Sequence, residues 1–378
     1  MHSPDDALAF AGFEGCASNR EFYWHLAADN EALWDRWPSV TSWQWSPAED
    51  CDVRPFSAAA LIKDMVENGG WLLIGDSVTE NHFFSLSCEL YPHVLATPDY
   101  SSGGSFDRAW PQHLYLSPAS PLLPHLALPP SFDVAKTPLV TFRRVDLLLD
   151  QAELEALYAA TRPTLAEARP LFSAEQFWSL GPRAYVRELF LGALPEHNYG
   201  TLVISTAGHW TTTLMSGFAD DAAPGRGIDG VLDFFGDAMG VWAREVQGLL
   251  DEWAANRTRT HTRWGGGRAP AKKQVVVRAY LPGHEDCHDE REPWAVWKPF
   301  VWGWYNWASI GEFNRRFEDV LNSTRYPDIH FLPIDRPALL RPDAHSAGDC
   351  LHIMTGAGVL EGWTHYIWHY ITRELPGW

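Results

Sequence analysis

The sequence predicts an α/β fold in which helices cover both faces of a central parallel sheet. Short, continuous apolar runs such as "WLLIG" (71–75) and "TLVIST" (201–206) alternate along the chain with longer helical patterns. Strands that are buried on both faces have this uniform apolar character, and helices are the usual connections between parallel strands. The chain has 378 residues, of which 46% are hydrophobic, enough for one large core. We therefore expect a three-layer α/β/α sandwich.

The elements follow in order along the chain. Residues 1–56 are rich in Trp, Pro and polar residues, which predicts an irregular segment packed on a main domain of residues 57–378. In that domain Ser57 should begin the first helix, and Gly69-Gly70 should end it. Strands are predicted at 71–75, 93–97, 138–145, 201–206, 274–281 and 329–334. Helices are predicted at 57–68, 79–90, 151–160, 174–191, 229–253, 307–322 and 361–375. Loops rich in Pro, Gly and Ser are predicted at 98–137 and 254–273, as candidates for substrate-facing insertions.

Composition excludes several classes of partner. The net charge of −19, with no basic run, argues against nucleic acid and against anionic membrane surfaces. No window of about 18 apolar residues is present, so no membrane-spanning segment is expected. The 20 tryptophans are consistent with a carbohydrate ligand, because aromatic rings stack on sugars, and equally with a Trp-rich core.

The compartment stays open at this level. The start "MHSPDDALAF" has neither the basic nor the apolar run of a signal peptide, so the chain is either cytosolic or a fragment without its targeting segment. The sequons Asn256-Arg257-Thr258 and Asn322-Ser323-Thr324 fit a secretory route. The five cysteines are scattered, which allows two disulfides with one cysteine over, or five thiols. They are Cys16, Cys51, Cys88, Cys287 and Cys350.

The stretch "WLLIGDSVTENHFF" (71–84) changes from strand to helix at Gly75, Asp76 and Ser77. A serine at the carboxyl end of a strand exposes its hydroxyl at the edge of the sheet, beside helix N–H groups that can stabilise an oxyanion. The structural alternative is that Gly75 permits the turn, while Asp76 or Ser77 only caps the helix.

A partner histidine occurs near the end of the chain, where Asp349 and His352 are three residues apart. In a turn, that spacing brings the carboxylate to Nδ1 of the ring, so that one segment supplies both a base and the group that orients it. Asp343 and His345 form a second candidate pair. The alternative is that Asp349 caps a turn and His352 is a packed core histidine.

Together these motifs have the chain order of the SGNH, or GDSL-like, hydrolases. The segment "GDSVTENHFFSLSC" (75–88) resembles the Gly-Asp-Ser block of the PC-esterase family, which includes plant trichome-birefringence-like polysaccharide O-acetyltransferases; Asn81 and the Ser-Leu-x-Cys ending match. Further segments resemble the family in the same order, from about residue 13 to 370. They are "FEGC", "WQWSPAEDCDVRPF", "LVISTAGHW", "VVVRAYLPGHEDC", "RPDAH" and "DCLH".

The resemblance implies an SGNH-like fold with Ser77 as nucleophile, His352 as general base and Asp349 as the residue that orients it. The main-chain N–H of Ser77 would be one oxyanion donor. Glu80 stands where many plant members have arginine, and "TAGHW" lacks the asparagine that usually binds the oxyanion. Other residues expected to bind the oxyanion or substrate, or to support those that do, are Gly75, Asp76, Asn81, Gly208, His209, Trp210 and His345.

The implied activity is O-acyl transfer, most simply O-acetyl transfer to a polysaccharide through an acyl-enzyme. No bound cofactor is expected; acetyl-CoA or an acetyl ester would be the acyl donor. The alternatives are a carbohydrate acetyl esterase with the same residues and an inactive carbohydrate-binding protein. A metal site at His284, Cys287 and His288, or at His365 and His369, would lack a complete set of ligands. A monomer in the secretory pathway, in the Golgi lumen or secreted, is favoured.

The resemblance also implies disulfides Cys16–Cys88 and Cys287–Cys350, with Cys51 left over. A polysaccharide substrate further predicts an open groove, lined by Trp210 and by aromatics of the run "PWAVWKPFVWGWYNW" (293–307). The alternative is that these rings only cover the core. The rings in question are Trp294, Trp297, Trp302 and Trp304.

Overall fold

A seven-stranded sheet organises the fold. The computed structural model describes residues 1–48, 51–102, 107–219, 226–264, 272–301 and 305–375. The strands lie in the order β2-β3-β4-β1-β5-β6-β7. They are β1 (Gly70–Gly75), β2 (Val94–Thr97), β3 (Gln112–Leu116), β4 (Pro138–Arg144), β5 (Tyr199–Ser205), β6 (Gln274–Arg278) and β7 (Ile329–Leu332). With its helices, this sheet places the chain in the α/β class.

The prediction of a wholly parallel sheet is wrong at one edge. β4, β1, β5, β6 and β7 are parallel, but β3 runs antiparallel to both of its neighbours. β3 lies within 98–137, which the composition marked as a loop. Its residues alternate between buried and partly exposed positions, a period-two pattern that a search for continuous apolar runs does not detect.

Ten α-helices are described. They are α1 (Asp6–Phe10), α2 (Phe22–His25), α3 (Ala58–Asn68), α4 (Ser77–Glu89), α5 (Gln151–Thr161), α6 (Pro163–Ala168), α7 (Ile228–Trp264), α8 (Ile310–Leu321), α9 (Arg336–Leu339) and α10 (Val359–His369). A π-helical turn spans Arg183–Phe190 and another spans Tyr370–Glu374. Although α7 has 37 residues, no described helix is both long and apolar enough to cross a bilayer.

Two helix boundaries differ from prediction. The helix expected at 174–191 begins only at Arg183, because Gly181 and Pro182 precede it and proline is tolerated only at the start of a helix. The loop expected at 254–273 is helical as far as Trp264, since residues 254–264 contain no Gly or Pro that would end the helix. Residues 265–271 of that prediction lie outside the described residues.

The N-terminal segment packs on the body of the protein. Its α1, α2 and two 3₁₀ turns place Ala7, Leu26 and Val40 in the common core at 0% exposure. A disulfide between Cys16 and Cys88 joins the segment to the C-terminal end of α4. The segment is therefore part of the surroundings of α4.

Three adjacent strands end at the same edge of the sheet. Gly75 at the end of β1 pairs with Arg144 of β4 on one side and with Ser205 of β5 on the other. α4 begins at this edge and packs across β1 and β4, with α10 against its outer side. Segments that follow parallel strands here can contribute side chains to one site.

Candidate active site

The turn that holds Ser77 is built by its neighbours. Asp76 caps α4: its Oδ1 accepts the N–H of Val78 at 3.1 Å, and its Oδ2 accepts the hydroxyl of Tyr280 at 2.8 Å. Gly75 is required, because a Cβ there would lie 2.2 Å from Thr79 Oγ1. In α4, residues 78–88 are buried, whereas Ser77 is half-buried and opens onto a cavity. The turn thus presents the serine hydroxyl while it shields the rest of the helix.

Ser77, His352 and Asp349 form a chain of hydrogen bonds. Ser77 Oγ lies 2.7 Å from His352 Nε2, and His352 Nδ1 lies 2.7 Å from Asp349 Oδ2. The other carboxylate oxygen of Asp349 accepts the N–H groups of Leu351 and His352 at 2.9 and 2.8 Å. Because the ionised carboxylate can only accept, it places the ring proton on Nδ1 and leaves Nε2 to accept the proton of Ser77.

Electrostatics keep Asp349 ionised. Burial by itself would raise the pKa of the carboxyl, but the hydrogen bond and charge of His352 and the two main-chain N–H groups lower the pKa well below its ordinary value. The carboxylate therefore remains charged wherever the protein is folded near neutral pH, and it can stabilise a positive charge on His352.

The segment that carries His352 has little regular secondary structure, and an isolated bridge, a disulfide and side-chain contacts fix its position. His345 pairs with Ile353 in an isolated bridge, and Ser346 N–H donates to the carbonyl of His352 at 2.8 Å. A disulfide joins Cys350 to Cys287. The His345 ring is fully buried, and its Nε2 lies 2.6 Å from Nδ1 of His284. Its Nδ1 lies 3.1 Å from the carbonyl oxygen of His352. Burial lowers the pKa of His345 well below its ordinary value, so the ring is neutral.

Five of the residues predicted to lie at the site lack access to the cavity. Asn81 is buried at 0% exposure with its amide 2.9 Å from His25 Nδ1. Trp210 is also at 0% exposure, and its indole N–H donates to Thr206 Oγ1. The prediction that Trp210 lines a groove is wrong: the ring packs edge-on against Phe235 in the core. All five are buried and do not line the cavity; they are Gly75, Asp76, Asn81, Trp210 and His345.

The cavity measures about 470 Å³ and is open to solvent. Gly208 and His209 line it, as predicted. Gly208 has a steric role, because a Cβ there would lie 2.3 Å from the hydroxyl of Tyr280. His209 follows β5 and reaches the same cavity as Ser77.

The predicted aromatic groove is only partly present. Trp294 packs edge-on against His284 and Trp297 is 43% exposed; neither contacts the cavity. The same run contributes Tyr305 and Trp307, whose stacked rings line the cavity with centroids 5.7 Å apart. Trp302 and Trp304 lie outside the described residues.

Sequence reasoning missed Trp24 and the arginines. Trp24, from α2 in the N-terminal segment, packs edge-on against the His352 ring at 5.1 Å and lines the cavity with Arg108 and Arg144. No pattern in the sequence marks Trp24. For Arg144 a signal exists, since "RRVD" places charged residues directly after an apolar run, at the strand end beside Ser77.

Glu80, the departure from the resembling family, has an arginine partner from elsewhere. Arg20 in the N-terminal segment forms a buried ion pair with it at 2.9 Å, and Gln112 of β3 donates to the same oxygen at 2.5 Å. Burial raises the pKa of Glu80, and Arg20 and Gln112 partly oppose that rise. The pair ties the first turn of α4 to the N-terminal segment.

The candidate metal ligands have other partners. Cys287 and Cys350 form a disulfide, which removes the thiolates that a metal beside His288 would need. The His365 ring contacts the main chain of Arg54, and His369 Nδ1 accepts the N–H of Arg54 at 3.0 Å.

A scan against protein-family models and a search among curated proteins both gave no match. The geometry of the site and the motifs in the sequence are therefore the basis for assigning a function.

Proposed function

We propose that this protein is a serine-dependent O-acyltransferase with an SGNH-like catalytic domain, acting as an O-acetyltransferase on a polysaccharide. The observation that carries the proposal is the hydrogen-bonded chain Asp349–His352–Ser77, with two contacts of 2.7 Å, open to the cavity. A nucleophile bonded to a base, and a base bonded to an orienting carboxylate, is the arrangement that acyl transfer requires.

The reaction proceeds by double displacement. His352 Nε2 takes the proton of Ser77 as Oγ attacks the carbonyl carbon of the donor ester. The leaving atom, the oxygen of an ester or the sulfur of acetyl-CoA, then takes that proton, and an acyl-Ser77 ester remains. A sugar hydroxyl then gives its proton to His352 Nε2 and attacks the acyl carbon. As the bond between that carbon and Ser77 Oγ breaks, His352 gives the proton to Oγ and the acetylated sugar departs. Asp349 keeps its negative charge throughout and stabilises the protonated ring.

The cavity suits a carbohydrate acceptor. The stacked rings of Tyr305 and Trp307 form one wall and Trp24 lies beside His352, so apolar sugar faces have surfaces to stack on. Carboxylates of Glu21 and Glu175 line the same space and accept hydrogen bonds from hydroxyls. The two disulfides support a place in the secretory pathway, because such bonds persist in oxidising compartments.

Acetyl-ester hydrolysis is the second candidate. The cavity is open to solvent and the His352 side chain is 14% exposed, so water can reach an acyl-enzyme. The two reactions share every step up to the acyl-enzyme and differ only in the acceptor.

One experiment separates these candidates. The protein is incubated with an acetyl donor, either acetyl-CoA or an acetylated ester, with and without oligosaccharide acceptors, and the products are identified by mass spectrometry. Transfer predicts acetylated oligosaccharide, whereas hydrolysis predicts acetate alone, and the peptide that contains Ser77 should carry the acetyl group transiently. Ser77→Ala is the control. Unchanged products from this variant would refute both candidates, because the activity would not need Ser77. No reaction of the wild type with a covalent serine probe would also refute both candidates, and would favour an inactive binding protein.

A further inference from the structure

Acyl transfer at Ser77 needs hydrogen-bond donors for the negative charge that forms on the carbonyl oxygen. In the first turn of α4, the N–H of Val78 donates to Asp76 Oδ1, and those of Thr79 and Glu80 donate to the Asp76 carbonyl. The main-chain N–H of Ser77 is therefore the one donor of this turn that is left for an oxyanion. Enzymes of this type stabilise the oxyanion with more than one donor aimed at the developing charge. A second donor must come from another element.

Arg144 reaches the cavity from the strand next to β1. It is the last residue of β4, paired with Gly75 at the end of β1, two residues before Ser77. Its side chain is 5% exposed and lines the same cavity as Ser77 and His352. Adjacent strand residues point to opposite faces, so Arg143 is directed elsewhere and does not line the cavity.

The guanidinium is held rigidly yet retains donor capacity. Its Nε donates to Asp146 Oδ1 at 3.0 Å, and its plane lies over the Trp178 ring, 4.1 Å from the centroid. Asp146 is at 0% exposure, and its second oxygen accepts the N–H of Trp178 at 2.9 Å. Nη2 makes only a long contact of 3.5 Å with His209 Nε2, and the buried Nη1 has no partner among the described residues. A buried donor without a partner is costly, which is expected where a ligand supplies the acceptor.

We propose that Arg144 is the second oxyanion donor of this active site, an inference that rests on the proposed acyl-transfer function. As Ser77 Oγ bonds to the carbonyl carbon and its proton moves to His352, the π electron pair of the C=O bond moves to oxygen. The guanidinium and the N–H of Ser77 donate to that oxygen. When the intermediate collapses, the pair returns and the leaving oxygen departs with the proton from His352. Arg144 keeps all of its protons, and Asp146 limits its attraction for anions in the ground state.

The test uses 4-nitrophenyl acetate, a neutral ester that offers Arg144 no anionic group to bind. Arg144→Met keeps an apolar stem over Trp178 but removes the donors, and should lower kcat about 100-fold with little change in KM. The matched control is Arg143→Met, which should retain wild-type kcat. A kcat for Arg144→Met close to that of the control, or a change in KM alone, would overturn the inference.

Chemical rescue separates a direct role from a structural one. Arg144→Ala leaves space beside the cavity, and added guanidinium or methylguanidinium ions should restore part of its kcat without changing Ser77→Ala. A fall in kcat without rescue, together with a lowered Tm, would assign Arg144 a purely structural role and overturn the inference.

If Arg144→Met does not fold, Arg144→Lys serves instead. Lysine keeps the positive charge but lacks the paired N–H donors of the guanidinium, so this variant should show a smaller fall in kcat at unchanged KM. Activity that persists in Ser77→Ala would refute the proposed function itself, whereas a rate that needs Ser77 but not Arg144 refutes only this inference.

Discussion

Ser77 and His352 meet in one cavity, but the two segments that carry them are held in different ways. Ser77 is the first residue of α4, two residues after the end of β1, where the regular hydrogen bonds of a sheet and a helix fix the main chain. The histidine segment, residues 341–355, contains only a 3₁₀ turn and an isolated bridge. Local sequence thus places the nucleophile, whereas tertiary contacts place the base.

The N-terminal segment supplies many of those tertiary contacts. Arg341 donates to both oxygens of Asp343 at 2.9 and 3.0 Å and to the carbonyl of Val40 at 2.7 Å. Arg36 donates to the carbonyls of Asp343 and His345 at 3.1 and 2.8 Å. The histidine segment should therefore be the more easily displaced half of the site.

The largest fall in activity should follow from removing the side chain of the nucleophile or that of the base. Ser77→Ala and His352→Ala should each lower ester turnover by about 10⁶-fold, as loss of nucleophile or base does in such sites. Far-ultraviolet circular dichroism and Tm should change little for Ser77→Ala, because the hydroxyl faces the cavity. His345→Ala should retain far more activity than His352→Ala. The reverse order would mean that the base has been assigned to the wrong histidine.

Asp349→Asn should lower kcat by about 10⁴-fold, less than loss of the base. The asparagine can present its amide to Nδ1 and favour the ring tautomer that cannot accept the proton of Ser77. Steady-state kinetics on the same ester would measure the difference. A variant with wild-type kcat would show that Asp349 only caps its turn.

Breaking the network under the histidine segment should destabilise the protein. Arg341→Met leaves the Asp343 carboxylate buried at 0% exposure without its partner. The free energy of unfolding, measured in urea, should therefore fall by about 3–5 kcal/mol. Arg316→Met, which removes an ion pair between side chains 48% and 56% exposed, is the control and should cost less than about 1 kcal/mol. Equal losses would show that the buried pair has no special role.

The two disulfides allow the halves of the site to be compared directly. They close loops of similar length, with separations of 63 and 72 residues, so each Cys→Ser pair should lose about 4 kcal/mol on a chain-entropy basis. Their effects on rate should differ. Loss of Cys287–Cys350 frees the residue next to Asp349 and should lower kcat, whereas loss of Cys16–Cys88 acts at the far end of the well-packed α4. Equal kcat values for the two variants would contradict the comparison.

At neutral pH the smallest effect is that of His25, whose contribution to stability changes only in acid. Burial, reinforced by the electrostatic effects of His352 and Arg20, lowers the pKa of His25 to about 3. The unfolded chain therefore binds a proton at His25 below about pH 6.5, while the folded protein binds it only near pH 3. Stability should fall as the pH drops through this window, with His25 contributing about 1.4 kcal/mol per pH unit. His25→Gln should flatten the slope by that amount in urea unfolding at several pH values, and an unchanged slope would refute the assignment.

The sequence by itself determined the features that depend on interactions between residues close together in the chain. Apolar runs located six of the seven strands. The pattern is clearest in β1, β4, β5 and β6 at the centre of the sheet, because strands buried on both faces are apolar throughout. Gly75-Asp76-Ser77 marked the turn at the end of β1, and the three-residue spacing of Asp349 and His352 brought those two side chains into contact. The cysteine pairing implied by the family resemblance is the pairing in the structure.

Only the tertiary structure decided which side chains reach the cavity. Trp210 is buried, whereas Trp24 and Trp307 line the cavity, and nothing in their local sequence distinguishes a buried ring from one that faces the cavity. Glu80 forms its ion pair with Arg20, which lies 60 residues earlier in the chain. Such pairings depend on which elements pack together, and a short window of sequence carries no information about contacts across so many residues.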